Sequence, residues 1–172
     1  MSIKLQNKDN YLIGVISDTH GYLHPLATEL FTKVDLIIHA GDINKPEVLS
    51  SLQETAPVVA VRGNMDFGTW ALKLPETEIV EIGNMLVHVI HNLQRLDIDP
   101  YAADFNVVIS GHTHEPCVVD KKGVLFLNPG SATLPKYSAP SAALLHINKH
   151  SVHAEIVELA KTKRDFFKNL FD

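Results

Sequence analysis

The stretch Val107-Val108-Ile109-Ser110-Gly111-His112-Thr113-His114 runs from an apolar segment straight into two imidazoles one residue apart. It reads as a buried strand whose C-terminal end delivers ligands. In extended backbone residues i and i+2 point the same way, so His112 and His114 are expected to converge on one place, with Gly111 letting the chain turn tightly toward it. Two imidazoles aimed together indicate a metal ion, and the alternative is a pair of surface loop histidines.

The rest of the chain decides between these. Tyr11-Leu12-Ile13-Gly14-Val15-Ile16-Ser17 is a second apolar run, and it stops at Asp18-Thr19-His20, a carboxylate and an imidazole again two residues apart. Asp35-Leu36-Ile37-Ile38-His39-Ala40 closes on Gly41-Asp42, Pro57-Val58-Val59-Ala60-Val61 on Arg62-Gly63-Asn64, and Met85-Leu86-Val87-His88-Val89-Ile90 on His91. Five strand ends therefore finish in oxygen or nitrogen donors: Asp18/His20, Asp42, Asn64, His91 and His112/His114. In open α/β folds ligands bind beyond the carboxyl ends of the strands, so all five sets can reach one crevice.

Between the strands, His24-Pro25 opens a helix-like stretch with Leu26, Leu30 and Val34 near one face. Asn44-Lys45-Pro46 resembles a helix cap leading into Glu47–Leu52. Strand, helix, strand, helix, strand predicts parallel crossovers and a sheet covered by helices. Farther on, hairpins are expected around Gly83-Asn84, around Asp120-Lys121-Lys122-Gly123 and around Asn148-Lys149-His150-Ser151, with a short helix over 99–105 and a tight turn at Asn128-Pro129-Gly130-Ser131.

Composition bounds the rest. A chain of 172 residues, 45% hydrophobic and 20% charged, suits one domain spanning 1–172, with a polar N-terminal extension over 1–10 and a tail or short amphipathic helix over 160–172 carrying Phe166, Phe167 and Phe171. The first ten residues have no apolar signal region, no run is long enough to span a membrane, and Cys117 is the single cysteine. These features point to a cytoplasmic protein without internal disulfides. A net charge of −5 without a Lys/Arg block lacks the footprint of a nonspecific nucleic-acid binder, whereas bound cations could supply local positive charge for a small anionic substrate.

Asp18-x-His20, Gly41-Asp42, Gly63-Asn64, His91 and Gly111-His112-x-His114, in this order, resemble the ligand signature of the calcineurin-like metallophosphoesterases, and specifically their small single-domain phosphodiesterases. The likeness runs from about Ile13 to Lys136. It implies a four-layer α/β/β/α sandwich with two mixed sheets and a dinuclear site at the strand C-terminal ends. One ion would be held by Asp18, His20, Asp42 and His114, the other by Asp42, Asn64, His91 and His112, with the Asp42 carboxylate shared. Two divalent transition ions are expected, Mn first, while the thiolate-free donor set itself suits Mn, Fe, Zn, Co or Ni alike. Catalysis would rest on Asp42, Asn64, His112 and His114, through metal-bridging hydroxide attack on a small phosphate ester.

Met65 stands where many relatives place a leaving-group His, and Asn92 where small members often have Gly. The first favours good leaving groups and modest turnover. The rival reading is a protein-binding scaffold like the retromer subunit that shares this small fold; a third is a phosphomonoesterase or nuclease. Nucleic acid enters only as substrate, and a homo-oligomer is allowed.

The other candidates have plainer roles. His88, an odd step from His91, belongs on the opposite strand face. His39 reads as a core histidine that orients a ligand, His24 as a surface residue at a helix start, His146, His150 and His153 as hairpin positions, and Cys117 as an inward strand residue. Arg62 is expected to meet a phosphate or a carboxylate behind the site, and Ser131 to line the crevice.

Overall fold

The computed structural model describes residues 3–159. Two mixed sheets form the molecule. In chain order the strands are β1 (Ile3–Leu5), β2 (Asn10–Ile16), β3 (Leu36–His39), β4 (Val58–Ala60), β5 (Thr77–Ile82), β6 (Met85–Ile90), β7 (Val107–Ile109), β8 (Cys117–Lys121), β9 (Val124–Asn128), β10 (Ser141–Asn148) and β11 (Val152–Glu158). One sheet has the order β1-β5-β6-β7-β9-β8 and the other β11-β10-β2-β3-β4.

Strands β2, β3 and β4 are parallel, as the alternation of strand and helix predicts. The parallel set β6, β7 and β9 does the same in the other sheet. Because these two parallel sets carry the site residues at their carboxyl ends, all of those residues leave the sheets where the chain exits a strand.

Between the sheets lies a continuous apolar layer to which both contribute, including Ile13, Val15, Ile38, Val87, Val107, Ile109, Leu127 and Leu145. A second cluster covers the outer face of the five-stranded sheet, where α1 (Pro25–Leu30) and α2 (Pro46–Gln53) set Ala27, Val48 and Leu52 against Ile16 and Ile37, together with Phe31 just past α1. Fully burying side chains of this size stabilises by about 1.5–3 kcal/mol each, so this two-sided burial holds the strand ends in place. A smaller cluster, Ile90, Val108 and Val124 with Leu96 and Phe126, backs the other sheet.

Several details depart from the sequence expectations. Of the expected face of α1, Leu30 and Val34 pack against the cluster beside the buried Ala27 and Phe31, whereas Leu26 is 39% exposed. Residues 99–105 form successive turns without a helix, the Asp104 φ of +55° interrupting helical propagation. Lys45, with no side-chain capping bond, occupies the cap of α2, and Asn44 before it has φ +65°. The polar first ten residues include an edge strand, β1, paired in parallel with β5. Cys117 is exposed, since β8 is an edge strand with every residue exposed. Residues 160–172, including the aromatic tail, lie outside the described residues. Among the described residues no helix is long and apolar enough to cross a membrane.

Candidate metal centre

The seven donors gather beyond the carboxyl ends of the strands, but by a different local route from simple extension. Asp18, His20, Asp42, His112 and His114 all adopt positive φ, between 47° and 70°. This left-handed conformation is uncommon outside glycine and costs about 1–3 kcal/mol per residue. Five such residues in one place mean that β2, β3 and β7 are each turned sharply as they end, which brings side chains from distant loops inward.

His112 and His114 consequently do not converge on one point. The ring of His114 faces His20, with centroids 5.2 Å apart and Nε2 to Nε2 at 3.3 Å, whereas the ring of His112 faces His91, also at 5.2 Å. Between these pairs lie the buried carboxylates of Asp18 and Asp42. Asp18, His20 and His114 each place a donor atom within 4.8 Å of the others, and Asp18, Asp42 and His91 do the same. Asp18 therefore belongs to both groups, while Asp42 belongs to the second.

Hydrogen bonds leave particular atoms available. The Nδ1 of His91 lies 2.7 Å from the Ala40 carbonyl and that of His114 lies 2.6 Å from the Leu134 carbonyl, contacts that require Nδ1–H and so turn Nε2 inward. The inward Nε2 of His91 meets oxygen only, Asn64 Oδ1 at 3.1 Å and Asp42 Oδ1 at 3.4 Å. Asn64 Oδ1 also lies 2.8 Å from His112 Nδ1. Asp18 Oδ1 is buried without a hydrogen bond, although its Nε2 neighbour on His114 is 3.2 Å away. Two imidazole nitrogens facing each other, and oxygens facing an Nε2, are mutually repulsive unless a proton or a cation lies between them. The donor set fits divalent cations on that ground.

Electrostatics agree. Burial disfavours protonation of His91, but its bond to Asp42 and the charge of Asp18 outweigh that and raise its pKa. The Asp18 carboxylate, 3.2 Å from its Nε2, likewise raises His114, while burial lowers His112. For Asp42, burial opposes ionisation, yet the His91 and Met65 N–H bonds prevail and lower its pKa. The site therefore draws positive charge toward two buried carboxylates.

Residues behind the donors shape the loops. The buried Asp66 carboxylate accepts four backbone N–H bonds, from Asp42, Ile43, Asn44 and Gly63, at 2.6–3.1 Å. His39 is wholly buried and its pKa falls to about 3, chiefly through burial, so it stays neutral. Its Nδ1 accepts from Gly41 N–H at 3.2 Å and its Nε2 donates to Thr19 Oγ1 at 3.0 Å, joining two donor loops. Asn128 donates to Gly111 O and Thr113 Oγ1, and Ser131 and Thr133 both donate to Asp18 O. A Cβ on Gly111 would stand 2.0 Å from Ser17 Oγ and one on Gly63 2.1 Å from Asp42 Oδ1, which is why both positions are glycine.

Sequence reasoning did not assign Asp66, Asn128 or Thr133 a role. Their visible signal was the polar company they keep, Asp66 two residues after Asn64 and Asn128 opening the Asn-Pro-Gly-Ser turn. Ser131 supports the site from behind and does not line a crevice, since it is fully buried. Arg62 pairs with Glu76. His88 is buried against Phe105 at 5.0 Å, away from the donors. His24 is buried at the cap of α1, accepting from Leu26 N–H, and is not a surface residue. His146 and His153 stack on each other in the last hairpin.

A cleft of about 680 Å³ opens on one side of the centre, lined by Asn64, His91 and His112 together with Arg62, Asn92 and Arg95. Of the seven donors, only Asn64, His91 and His112 line it.

The chain matches the calcineurin-like phosphoesterase superfamily domain over residues 11–150. A "probable metallophosphoesterase" of Methanocaldococcus jannaschii is 42% identical over 149 residues, covering 79% of this chain and 76% of its own. A solved archaeal phosphodiesterase superposes with a TM-score of 0.73 at 27% identity, over 85% of this chain and 99% of that one. Vacuolar Protein Sorting 29 from Cryptosporidium parvum superposes with a TM-score of 0.76 at 26% identity, over 91% and 95% of the two chains.

Proposed function

The chain belongs to the calcineurin-like phosphoesterase superfamily, and from that membership we propose that it is a phosphodiesterase working with two divalent cations at its strand ends. One cation would be held by Asp18, His20, Asp42 and His114 and the other by Asp42, Asn64, His91 and His112. The observation that carries this reading is the division of the histidines into two facing pairs around buried carboxylates, with Nε2 atoms turned inward onto groups they would otherwise repel. Asp18 stands between the pairs beside Asp42 and would add its charge to both positions.

Cations bound there would polarise a phosphoryl group and lower the pKa of water to near neutrality. The thiolate-free donor set suits Mn, Fe, Zn, Co or Ni, and manganese is the ion proposed for the assay. The protein's own part is to hold and orient. The Ala40 and Leu134 carbonyls fix the tautomers of His91 and His114. Asn64 turns its oxygen to His91 and His112, which leaves its amide N–H groups for a phosphate oxygen in the cleft. Met65 contributes a backbone N–H to Asp42 at 2.8 Å and no acid for the leaving group. Substrates with good leaving groups are therefore favoured, since a positioned general acid is worth about 10²–10⁴ in rate. A single chain of 172 residues would form one domain, and its lone, exposed cysteine suits the cytoplasm.

The test compares an aryl phosphodiester, an aryl monoester, cyclic nucleotides and single-stranded DNA in Mn²⁺, beside elemental analysis of the purified protein. The diester is expected to turn over fastest, and Asp42→Asn to lower its kcat/KM by about a hundredfold or more. Full metal-dependent diester hydrolysis by Asp42→Asn overturns the proposal. The likeness to Vacuolar Protein Sorting 29 favours a second reading, a protein-binding scaffold. Absence of hydrolysis across the whole panel, with no metal retained at saturating Mn²⁺, would select it.

A further inference from the structure

The cleft beside the metal centre is one-sided. Asn64, His91 and His112 line it, whereas His20 and His114 do not. Its volume of about 680 Å³ lies well inside the range of roughly 300–1,000 Å³ found for sites that hold whole small molecules. The cleft thus has room for a sizeable part of a substrate beyond the reacting phosphate.

The charges along this extension are not equivalent. Arg62 is tied to Glu76, and the Asp66 carboxylate is fully engaged by backbone N–H groups. Arg95 is exposed and forms no side-chain hydrogen bond or ion pair among the described residues; the nearby Asp97, which also lines the cleft, is not within salt-bridge distance of it. The backbone beneath Arg95 is nonetheless anchored to the centre. Asn92, the residue directly after His91, accepts from Gln94 N–H through its side chain at 3.0 Å and from Arg95 N–H through its carbonyl at 3.0 Å. These bonds close the 3-10 turn Leu93–Arg95 on the rim of the cleft. The departure to Asn at position 92 therefore has a structural role, which is to set the turn that carries Arg95.

We propose that Arg95 forms an anion subsite, so that the substrate is a phosphate ester bearing a second phosphate, seated on Arg95 while the reacting one lies over Asn64, His91 and His112. This rests on the phosphodiesterase reading above and names the substrate class for that same site. A guanidinium suits the task because its planar fork of donors matches two phosphate oxygens at once and its charge persists at any working pH. An exposed, uncommitted Arg loses no internal partner when it turns to the ligand.

Thymidine 5′-(p-nitrophenyl phosphate), with and without a 3′-phosphate, tests the subsite in Mn²⁺. The 3′-phosphate is expected to lower KM about tenfold, the weight of a charge-assisted hydrogen-bonded pair. In Arg95→Ala the ratio of the two kcat/KM values should fall toward one, and Arg95→Lys should keep part of it. Calorimetric binding of thymidine 3′,5′-bisphosphate against the 5′-monophosphate should show the same ratios without turnover. Equal treatment of the two esters by the unmodified protein, or a preference that survives Arg95→Ala, overturns the proposal. If neither ester is hydrolysed while the bisphosphate still binds tighter through Arg95, the subsite stands and the phosphodiesterase reading falls.

Discussion

The two ends of the sheets handle polar groups in opposite ways. At the carboxyl ends, the carboxylates of Asp18, Asp42 and Asp66 are buried, five donor residues hold positive φ and imidazole nitrogens face each other at 3.3 Å. At the other end a hollow of about 310 Å³ lies between Tyr11, Gly83 and Lys149. There Lys8 pairs with Asp35, Lys149 pairs with Asp9, and the Tyr11 hydroxyl accepts from Lys8 N–H. One end completes its own interactions, while the other keeps strained backbone and facing donors that a proton or a cation must separate. Strain persists where surrounding structure over-determines it, and here that structure is the net of Asp66, His39, Asn128 and Thr133.

Removing part of that net is the strongest way to break the contrast. Asp66→Ala would strand four backbone N–H groups, three of them buried, so stability should fall by about 3 kcal/mol or more and diester hydrolysis should be lost with it. Chemical denaturation measures the first effect, and an unchanged midpoint would show that the donor loops support themselves. Next in size, His39→Leu keeps the volume roughly but cuts the link between Gly41 and Thr19. Metal affinity is expected to weaken about 10–100-fold, as for other outer partners of metal ligands, with a smaller change in melting temperature. Isothermal titration with Mn²⁺ reads it directly.

Proton competition sharpens the comparison without mutation. In the metal-free protein His91 and His114 have raised pKa values. Their protonated pairing with Asp42 and Asp18 therefore stabilises the fold fully below their unfolded value of about 6.5 and is lost as pH climbs through the raised folded values. Over that same climb cations meet less competition, so Mn²⁺ affinity should increase and binding should release protons. Calorimetry in buffers of different ionisation heat checks this, and flat affinity between about pH 6 and 8 would contradict it. The smallest effect belongs to the opposite end. Lys149→Ala removes an exposed pair and should leave both melting temperature and metal affinity unchanged within error.

Much of this architecture is written in local pattern. Apolar runs of strand length, each halted by a donor, announced where β2, β3, β6 and β7 end, and Gly83-Asn84 marked the turn between β5 and β6. Burial depends on such runs directly, so they are legible one segment at a time. The segment 99–105 was misread as helical because its composition allows a helix while the left-handed Asp104 stops it. Cys117 was misplaced because edge position in a sheet is a property of strand order, which no short window contains.

The amino-acid sequence alone determined the alternating strands and helices, the residue types at each strand end and the family to which they point, because hydrophobic period and donor chemistry are carried by neighbouring residues. Only the tertiary structure decided that His112 and His114 part company, that Asp18 stands between the two histidine pairs, and that Asp66 and His39 hold the loops. Those outcomes depend on backbone turned to positive φ and on contacts between chain segments 20 to 115 residues apart, from His39 on Thr19 to Thr133 on Asp18. Such contacts exist only once the two sheets have packed.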